Sequence, residues 1–318
     1  MQIQSALDAA SLQARSIEHL WWWMFGVGGA IWLAVIVAMF YVVFSARGRR
    51  GADDLQHVPA ETRARLERIV SGAVFATVLV LMGFLIYDFG VGRALAQHPS
   101  RALTIELIGH QWWWEVQYDD TNPSRRLVTA NEIHIPTGEQ VQLKLSAADV
   151  IHSFWVPNLN GKRDLIPGYT SSHWITAEVP GVYRGQCAEY CGMQHAHMAL
   201  LVIAEPSSVF DEWRTAQLQA ARPAETVEQQ AGQAFFTSQA CGACHTVRGT
   251  SAAGTLGPDL THVASRRTIA AGLLPTTRGS LAAWIADPQT IKPGNNMPMV
   301  TMTPDQLRAV SAWLGELR

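Results

Sequence analysis

The chain has 318 residues and a formal net charge of −2, from 24 Lys+Arg against 26 Asp+Glu. A balance so close to neutral argues against a partner held through nucleic-acid phosphates. Hydrophobic residues make up 48% and charged residues 16%, too apolar for a purely soluble protein, so spanning segments are expected beside about two domains.

Residues 1–20 form a mixed polar outer segment without a signal-peptide core, so either a signal has been removed or the first spanning helix directs export. Residues 21–45 carry no charge and are long enough for one bilayer crossing. A second uncharged run begins at residue 69 and ends at Asp88, which predicts a hairpin over 21–101 with helices near 21–45 and 69–89. Arg47, Arg49, Arg50, Arg63, Arg65 and Arg68 crowd the connection, while the outer flanks hold Arg15, Arg93 and Arg101. The positive-inside rule therefore puts residues 46–68 in the cytoplasm and both termini outside, with Trp21, Trp22 and Trp23 in the interfacial belt.

Residues 102–205 alternate short apolar runs with Pro- and Gly-containing turns. Strands are expected over 103–108, 132–135, 141–145, 173–177 and 199–203, forming a β-sandwich of Greek-key type. Inside this region lies Cys187-Ala-Glu189-Tyr-Cys191-Gly-Met-Gln-His195-Ala-His197-Met198. Thiolate and imidazole suit copper, and a thioether is a weak extra ligand. Two cysteines on one loop can bridge two metals, and His152 can complete the set from an earlier strand end. A blue-copper site needs a single cysteine, and a Cys2His2 zinc site leaves Met198 without a role.

Residues 206–224 read as a linker, with residues 209–220 able to form a helix. Residues 225–318 read as a compact all-α domain. Cys241-Gly-Ala-Cys244-His245 is the signature of covalent haem c attachment, with His245 as an iron ligand. The four cysteines of the chain all fall in these two clusters, each followed by histidine, which a disulfide does not require. Haem c commonly takes a methionine as its second axial ligand, and Met297, Met299 and Met302 all lie downstream as candidates. Thr303-Pro304-Asp305 is a helix start, and Leu307, Val310 and Leu314 share one face.

These stretches carry a resemblance. Gly109-His-Gln-Trp112-Trp-Trp114-Glu, Asp149-Val-Ile-His152-Ser, Asp164-Leu-Ile-Pro167-Gly168 and Pro180-Gly-Val-Tyr-Arg-Gly-Gln-Cys187 resemble subunit II of haem–copper cytochrome c oxidase, whose hairpin precedes a cupredoxin-like domain with the dinuclear CuA centre. Residues 225–318 resemble a class I cytochrome c fused behind it, where Met297 in Asn-Asn-Met-Pro and the Gly257-Pro258 loop match.

The resemblance implies His152, Cys187, Cys191, His195 and Met198 as copper ligands, with Glu189 binding through its backbone carbonyl. It also implies a magnesium at the Glu189 carboxylate where subunit I is met, and Trp112 as the residue where electrons enter. Glu67 corresponds to a glutamate at a proton-uptake entrance, although Arg65-Leu-Glu67-Arg-Ile departs from the family's text and reads first as a solvated carboxylate. His197 inherits no role.

The implied function is an electron relay in the bacterial inner membrane. Electrons would pass from an external donor, such as a cytochrome c or a quinol-oxidising complex, through haem c and CuA to the oxygen-reducing, proton-pumping subunit I, with subunit III as a further partner. Residues 102–205 have 6 Lys+Arg against 11 Asp+Glu, and residues 225–318 have 7 against 6. The tethered domain supplies a donor at high effective concentration without strong docking. A nitric oxide reductase using the same kind of copper subunit, a free-standing membrane-tethered carrier and a copper-delivery protein remain as alternatives.

Overall fold

A computed structural model describes residues 4–46, 59–95 and 102–318. The chain forms two bodies, one of Ser16–His98 and the other of Met1–Arg15 with Pro99–Arg318.

The first body is helical. Helix α1 runs over Leu12–Ala46 and α2 over Ala60–Leu95. Ser11 caps α1, its hydroxyl accepting from the Ala14 N–H at 2.9 Å. At about 1.5 Å per residue each helix exceeds a hydrocarbon core of about 30 Å. Trp32, Tyr41, Phe75 and Phe89 all point outward and lie more than half exposed, a surface that water does not tolerate and lipid or partner helices do. The helices overrun the expected spans of 21–45 and 69–89. Absence of charge marks only the apolar part of a helix, and backbone hydrogen bonding continues into polar turns such as that of Arg63 and Glu67. Arg47, Arg49, Arg50 and Arg101 lie outside the described residues, as does most of the expected cytoplasmic loop.

The second body begins with ten strands: β1 Leu103–His110, β2 Trp113–Tyr118, β3 Leu127–Ala130, β4 Glu132–Pro136, β5 Val141–Ala147, β6 His152–Trp155, β7 Arg163–Leu165, β8 Ser171–Ile175, β9 Gly181–Cys187 and β10 Ala199–Glu205. They form two five-stranded sheets, ordered β3-β2-β1-β5-β8 and β4-β10-β9-β6-β7. The pairs β1–β5 and β4–β10 are parallel, as crossing between the two sheets of a sandwich requires. Along β1 the side chains of Ile105 and Leu107 are fully buried and their neighbours are partly exposed, the expected period of two. The expected strand at 173–177 sits two residues earlier, because Ala177 has already left the sheet to accept from the Gly138 N–H at 2.8 Å.

Strand β4 is buried along its whole length because its outer face is also covered. Helix α3 (Ser207–Gln217) lies there, stacking Trp213 on His134 at 4.0 Å. The stretch expected as a linker is therefore packed structure: Phe210 belongs to the sandwich core. Residues 4–15 are likewise packed on the sandwich: Ala10 N–H donates to Asn158 O at 2.8 Å, Glu178 N–H to Ala10 O at 2.9 Å, and Arg15 pairs with Glu178.

The helical domain follows with α4 Val227–Ser238, α5 Cys241–Cys244, a two-stranded ribbon of β11 Thr268–Ile269 and β12 Leu274–Pro275, then α6 Arg278–Ala286, α7 Pro288–Ile291 and α8 Pro304–Leu314. Helices α4 and α8 each open with a capping box, from Thr226 with Gln229 and Thr303 with Gln306. They cross in contact at Gly232, where a Cβ would lie 2.1 Å from the Ala309 carbonyl oxygen. Phe236, Val310, Trp313 and Leu314 fill the core around that crossing. The ribbon is an addition to the expected all-helical layout; strands of two residues carry no readable alternation.

Candidate metal and haem centres

The copper candidates converge at one end of the sandwich. His152 opens β6, Cys187 closes β9, and Cys191, His195 and Met198 lie on the loop leading to β10. Ligand atoms of His152, Cys187 and Cys191 all lie within 4.8 Å of one another, and all three residues are buried. The two sulfurs are 3.7 Å apart. His152 Nδ1 lies 4.0 Å from Cys187 Sγ, His195 Nδ1 3.6 Å from Cys191 Sγ, and Met198 Sδ 3.9 Å from Cys191 Sγ. The Glu189 carbonyl oxygen is 3.3 Å from Cys187 Sγ. Each sulfur thus has an imidazole beside it. Two thiols, two imidazoles, a thioether and a carbonyl are softer and more numerous than the four donors of one tetrahedral zinc, and the donor chemistry fits copper.

The surroundings orient these ligands. His152 Nε2 hydrogen-bonds Asp149 Oδ1 at 2.8 Å, which leaves Nδ1 facing the sulfurs. Burial alone would raise the Asp149 carboxyl, but hydrogen bonds from His152, the Val150 N–H and the Gln111 N–H hold it below its ordinary range. The thiols act as a pair: with Cys191 donating to it, Cys187 loses its proton readily, and that charge holds the proton on Cys191. A bound cation removes that conflict.

Trp112 is 8% exposed, and its indole N–H donates to the Cys191 carbonyl at 2.9 Å, beside the Gln111 amide at 2.8 Å. The loop after α7 lies against Trp112: Lys292 Nζ donates to its carbonyl at 2.7 Å. Trp113 stacks on His110 at 4.4 Å, and Trp114 is fully buried in the core. The Glu189 carboxylate is partly exposed and meets Lys162 Nζ at 3.4 Å. His197 hydrogen-bonds Gln194 at 2.7 Å and lies outside the ligand set. In the other body, Glu67 is exposed on α2 and pairs with Arg63 at 3.1 Å.

In the helical domain, the single turn of α5 presents both free thiols, and the His245 N–H donates to Cys241 O at 2.9 Å. His245 Nδ1 donates to the Pro258 carbonyl at 2.8 Å, which frees Nε2 as a ligand. Burial lowers the His245 pKa, keeping the ring neutral, the form that binds iron. A Cβ at Gly257 would lie 2.6 Å from His245 Cε1, so only glycine lets this loop approach the ring. These features fit a covalently held haem. Met297 is half-buried, with its N–H on Asn295 Oδ1 at 2.8 Å and its carbonyl on Gln289 at 2.9 Å. Met299 is 61% exposed.

Sequence reasoning gave no role to Asp149, Gln111 or Lys292. For Asp149 the signal is a carboxylate three residues before a candidate ligand. For Lys292 it is rarity: the chain has three lysines, and this one is the sole charge between Asp287 and Asp305.

Residues 103–205 match the family described as cytochrome c oxidase subunit II, periplasmic domain, and residues 229–318 match the cytochrome c family. Cytochrome c oxidase subunit 2 of Alkalihalophilus pseudofirmus is 33% identical over 291 residues, which cover 89% of this chain and 82% of that protein. The protein of the same name from Bacillus sp. strain PS3 is 31% identical over 234 residues, covering 70% of this chain and 64% of that one. Among solved structures, the periplasmic domain of subunit II of the cytochrome oxidase of Bradyrhizobium japonicum is 29% identical, covers 38% of this chain and 96% of that chain, and superposes with a TM-score of 0.36.

Proposed function

The chain belongs to the cytochrome c oxidase subunit 2 family, and we propose that it is the electron-relay subunit of a terminal respiratory oxidase. In this reading electrons from an external donor enter at the helical domain, reach the β-sandwich within the same chain, and leave for a catalytic subunit I that reduces oxygen to water and pumps protons. Bound haem c and a bound copper pair each supply a one-electron acceptor and donor.

The observation that carries the reading is the meeting of six donors, two of them thiol sulfurs 3.7 Å apart: His152, Cys187, Cys191, His195, Met198 and the Glu189 carbonyl. These residues offer more donors than one ion needs and would hold two. Cys241 and Cys244 would carry the haem, with His245 and Met297 on its iron. The residues hold these groups in fixed, mostly buried positions: Asp149 sets His152, and Pro258 sets His245. Rigid ligands keep geometry the same in both redox states, which favours fast transfer.

The Glu189 carboxylate would hold magnesium at the contact with subunit I, displacing Lys162. Subunit III is a further partner, and Glu67 would sit at a proton-uptake entrance. The two apolar helices anchor the chain in a bacterial inner membrane with the sandwich and helical domain on the outer face. The N-terminal end belongs on that face too, a placement supported by the packing of residues 4–15 on the sandwich.

The test is to purify the complex in mild detergent and measure copper, covalent haem and oxygen uptake with a reduced donor. Two coppers and one haem on this chain, with cyanide-sensitive oxygen consumption, are expected. Nitric oxide reduction in place of oxygen uptake would reassign the enzyme, and a fully loaded chain with one copper or none would refute the ligand set.

A further inference from the structure

Lys292 is only 2% exposed, and its ammonium donates to three backbone carbonyls: Trp112 O at 2.7 Å, His197 O at 2.8 Å and Ala270 O at 3.2 Å. Burial lowers its pKa to about 7, and the three carbonyls match the three protons of the charged form, which has no acceptor capacity. Two of the three carbonyls belong to the sandwich, one on the turn before β2 and one on the copper-candidate loop; the third is on the ribbon of the helical domain. A buried cation held by carbonyls from two domains is satisfied only while those domains are together.

The neighbouring contacts follow the same seam. Gln194 Nε2 donates to Pro293 O at 2.7 Å, Asn296 Nδ2 to Gln111 O at 3.4 Å, and Ala199 N–H to Ala271 O at 3.0 Å. A Cβ at Gly294 would lie 3.4 Å from Met193 Sδ and 3.9 Å from the Trp112 ring, so this glycine rides directly on the tryptophan. The segment bearing Lys292 also bears Met297. It seats on Trp112, whose indole holds the Cys191 carbonyl.

We propose that Lys292 is an interdomain positioning residue, a latch that seats the Met297 loop on Trp112 and closes that tryptophan to any separate donor protein. This rests on the relay reading above. An external donor must then deliver its electron to the helical domain, since the indole face that leads to Cys191 is occupied by the chain's own loop.

The test compares Lys292→Met and Lys292→Gln in the whole complex. Amide hydrogen exchange at Ala199, which bonds across the seam, reads the latch without requiring either metal. Transfer from photoreduced haem c to copper reads its effect on the relay. For Lys292→Met we expect exchange at Ala199 to rise and haem-to-copper transfer to slow, each at least tenfold, with the absorption spectra of both centres unchanged. Direct copper reduction by an added soluble reduced cytochrome c should appear. Lys292→Gln, which keeps two N–H donors, should fall between. Exchange and transfer both within twofold of the parent would overturn the latch. Should Lys292→Met lose either centre, Lys292→Gln decides by the same two readings. A failed relay would show instead as missing copper in the unaltered chain, where Ala199 protection still reports the seam.

Discussion

Asp149 holds His152 from behind: its Oδ1 takes the Nε2 side of the ring at 2.8 Å while Nδ1 faces Cys187, and its other oxygen accepts from the Gln111 N–H at 2.6 Å. One carboxylate therefore fixes both a candidate ligand and the turn that carries Trp112.

Asp149→Asn keeps the shape and removes the charge that fixes the histidine tautomer. Copper affinity should fall roughly 10–100-fold, the usual effect of losing a carboxylate behind a ligating histidine. Covalent haem content should not change. Competition with a calibrated copper chelator measures the affinity, and a value within twofold of the parent would remove Asp149 from the site.

Gly257→Ala should damage the haem centre alone. The new Cβ would press on His245 Cε1 and Nδ1 and break the bond from Nδ1 to Pro258. The expected outcome is a chain with haem still attached through Cys241 and Cys244 but with an altered reduced-state spectrum and a weakened axial histidine. An unaltered spectrum would mean that the loop yields without moving the ring.

Gly232→Ala inserts a methyl between α4 and α8, against the backbone carbonyl of Ala309. Overpacking of this kind costs about 1–3 kcal/mol. The denaturant midpoint for loss of the native haem spectrum should drop, while the copper spectrum of the sandwich persists to the parent's midpoint if the domains unfold separately. A parent-like haem midpoint would contradict the close crossing.

His173 offers a pH test away from both centres. Burial, with a lesser push from Arg163, lowers its pKa to about 4 from an ordinary 6.5. The folded state therefore refuses a proton that the unfolded chain accepts. The sandwich has full stability above about pH 6.5, loses it as pH falls from there towards 4, and loses no more below. At pH 5 the loss is about 2 kcal/mol. Replacing His173 with leucine should remove that part of the acid sensitivity, so the stability difference between variant and parent should shift by this amount between pH 7 and pH 5. Parallel profiles for the two proteins would show that His173 is protonated in the fold.

The parts legible in the sequence are those whose signal is local. Cys187, at the end of β9, is followed closely by Cys191, His195 and Met198, and Cys241, Cys244 and His245 share one turn, so spacing alone marks them as candidates. The start of α8 at Thr303-Pro304 was equally visible, because a cap followed by proline at the first helical position is a local signal. The helix expected over 209–220 is present as α3, but its docking could not be read from nearby residues: Phe210 and Trp213 are held by Tyr118 and His134, far away in the chain. Lys292 likewise meets Trp112 across 180 positions, a distance at which no periodicity survives. Strand β2 was hidden by its own tryptophans, whose bulk suggested a site or a core without saying which face each ring would take.

The grip of residues 4–15 on the sandwich bears on how the molecule is made. Asp8 and Ala10 find their partner, Asn158, 150 and 148 residues later, so this join cannot form until the ribosome has passed the whole hairpin and half of the sandwich. Everything between Arg15 and Pro99 becomes a loop pinned at both ends to one folded body. Closing so long a segment costs entropy that rises only slowly with its length, so the size of the hairpin is little obstacle to the clasp.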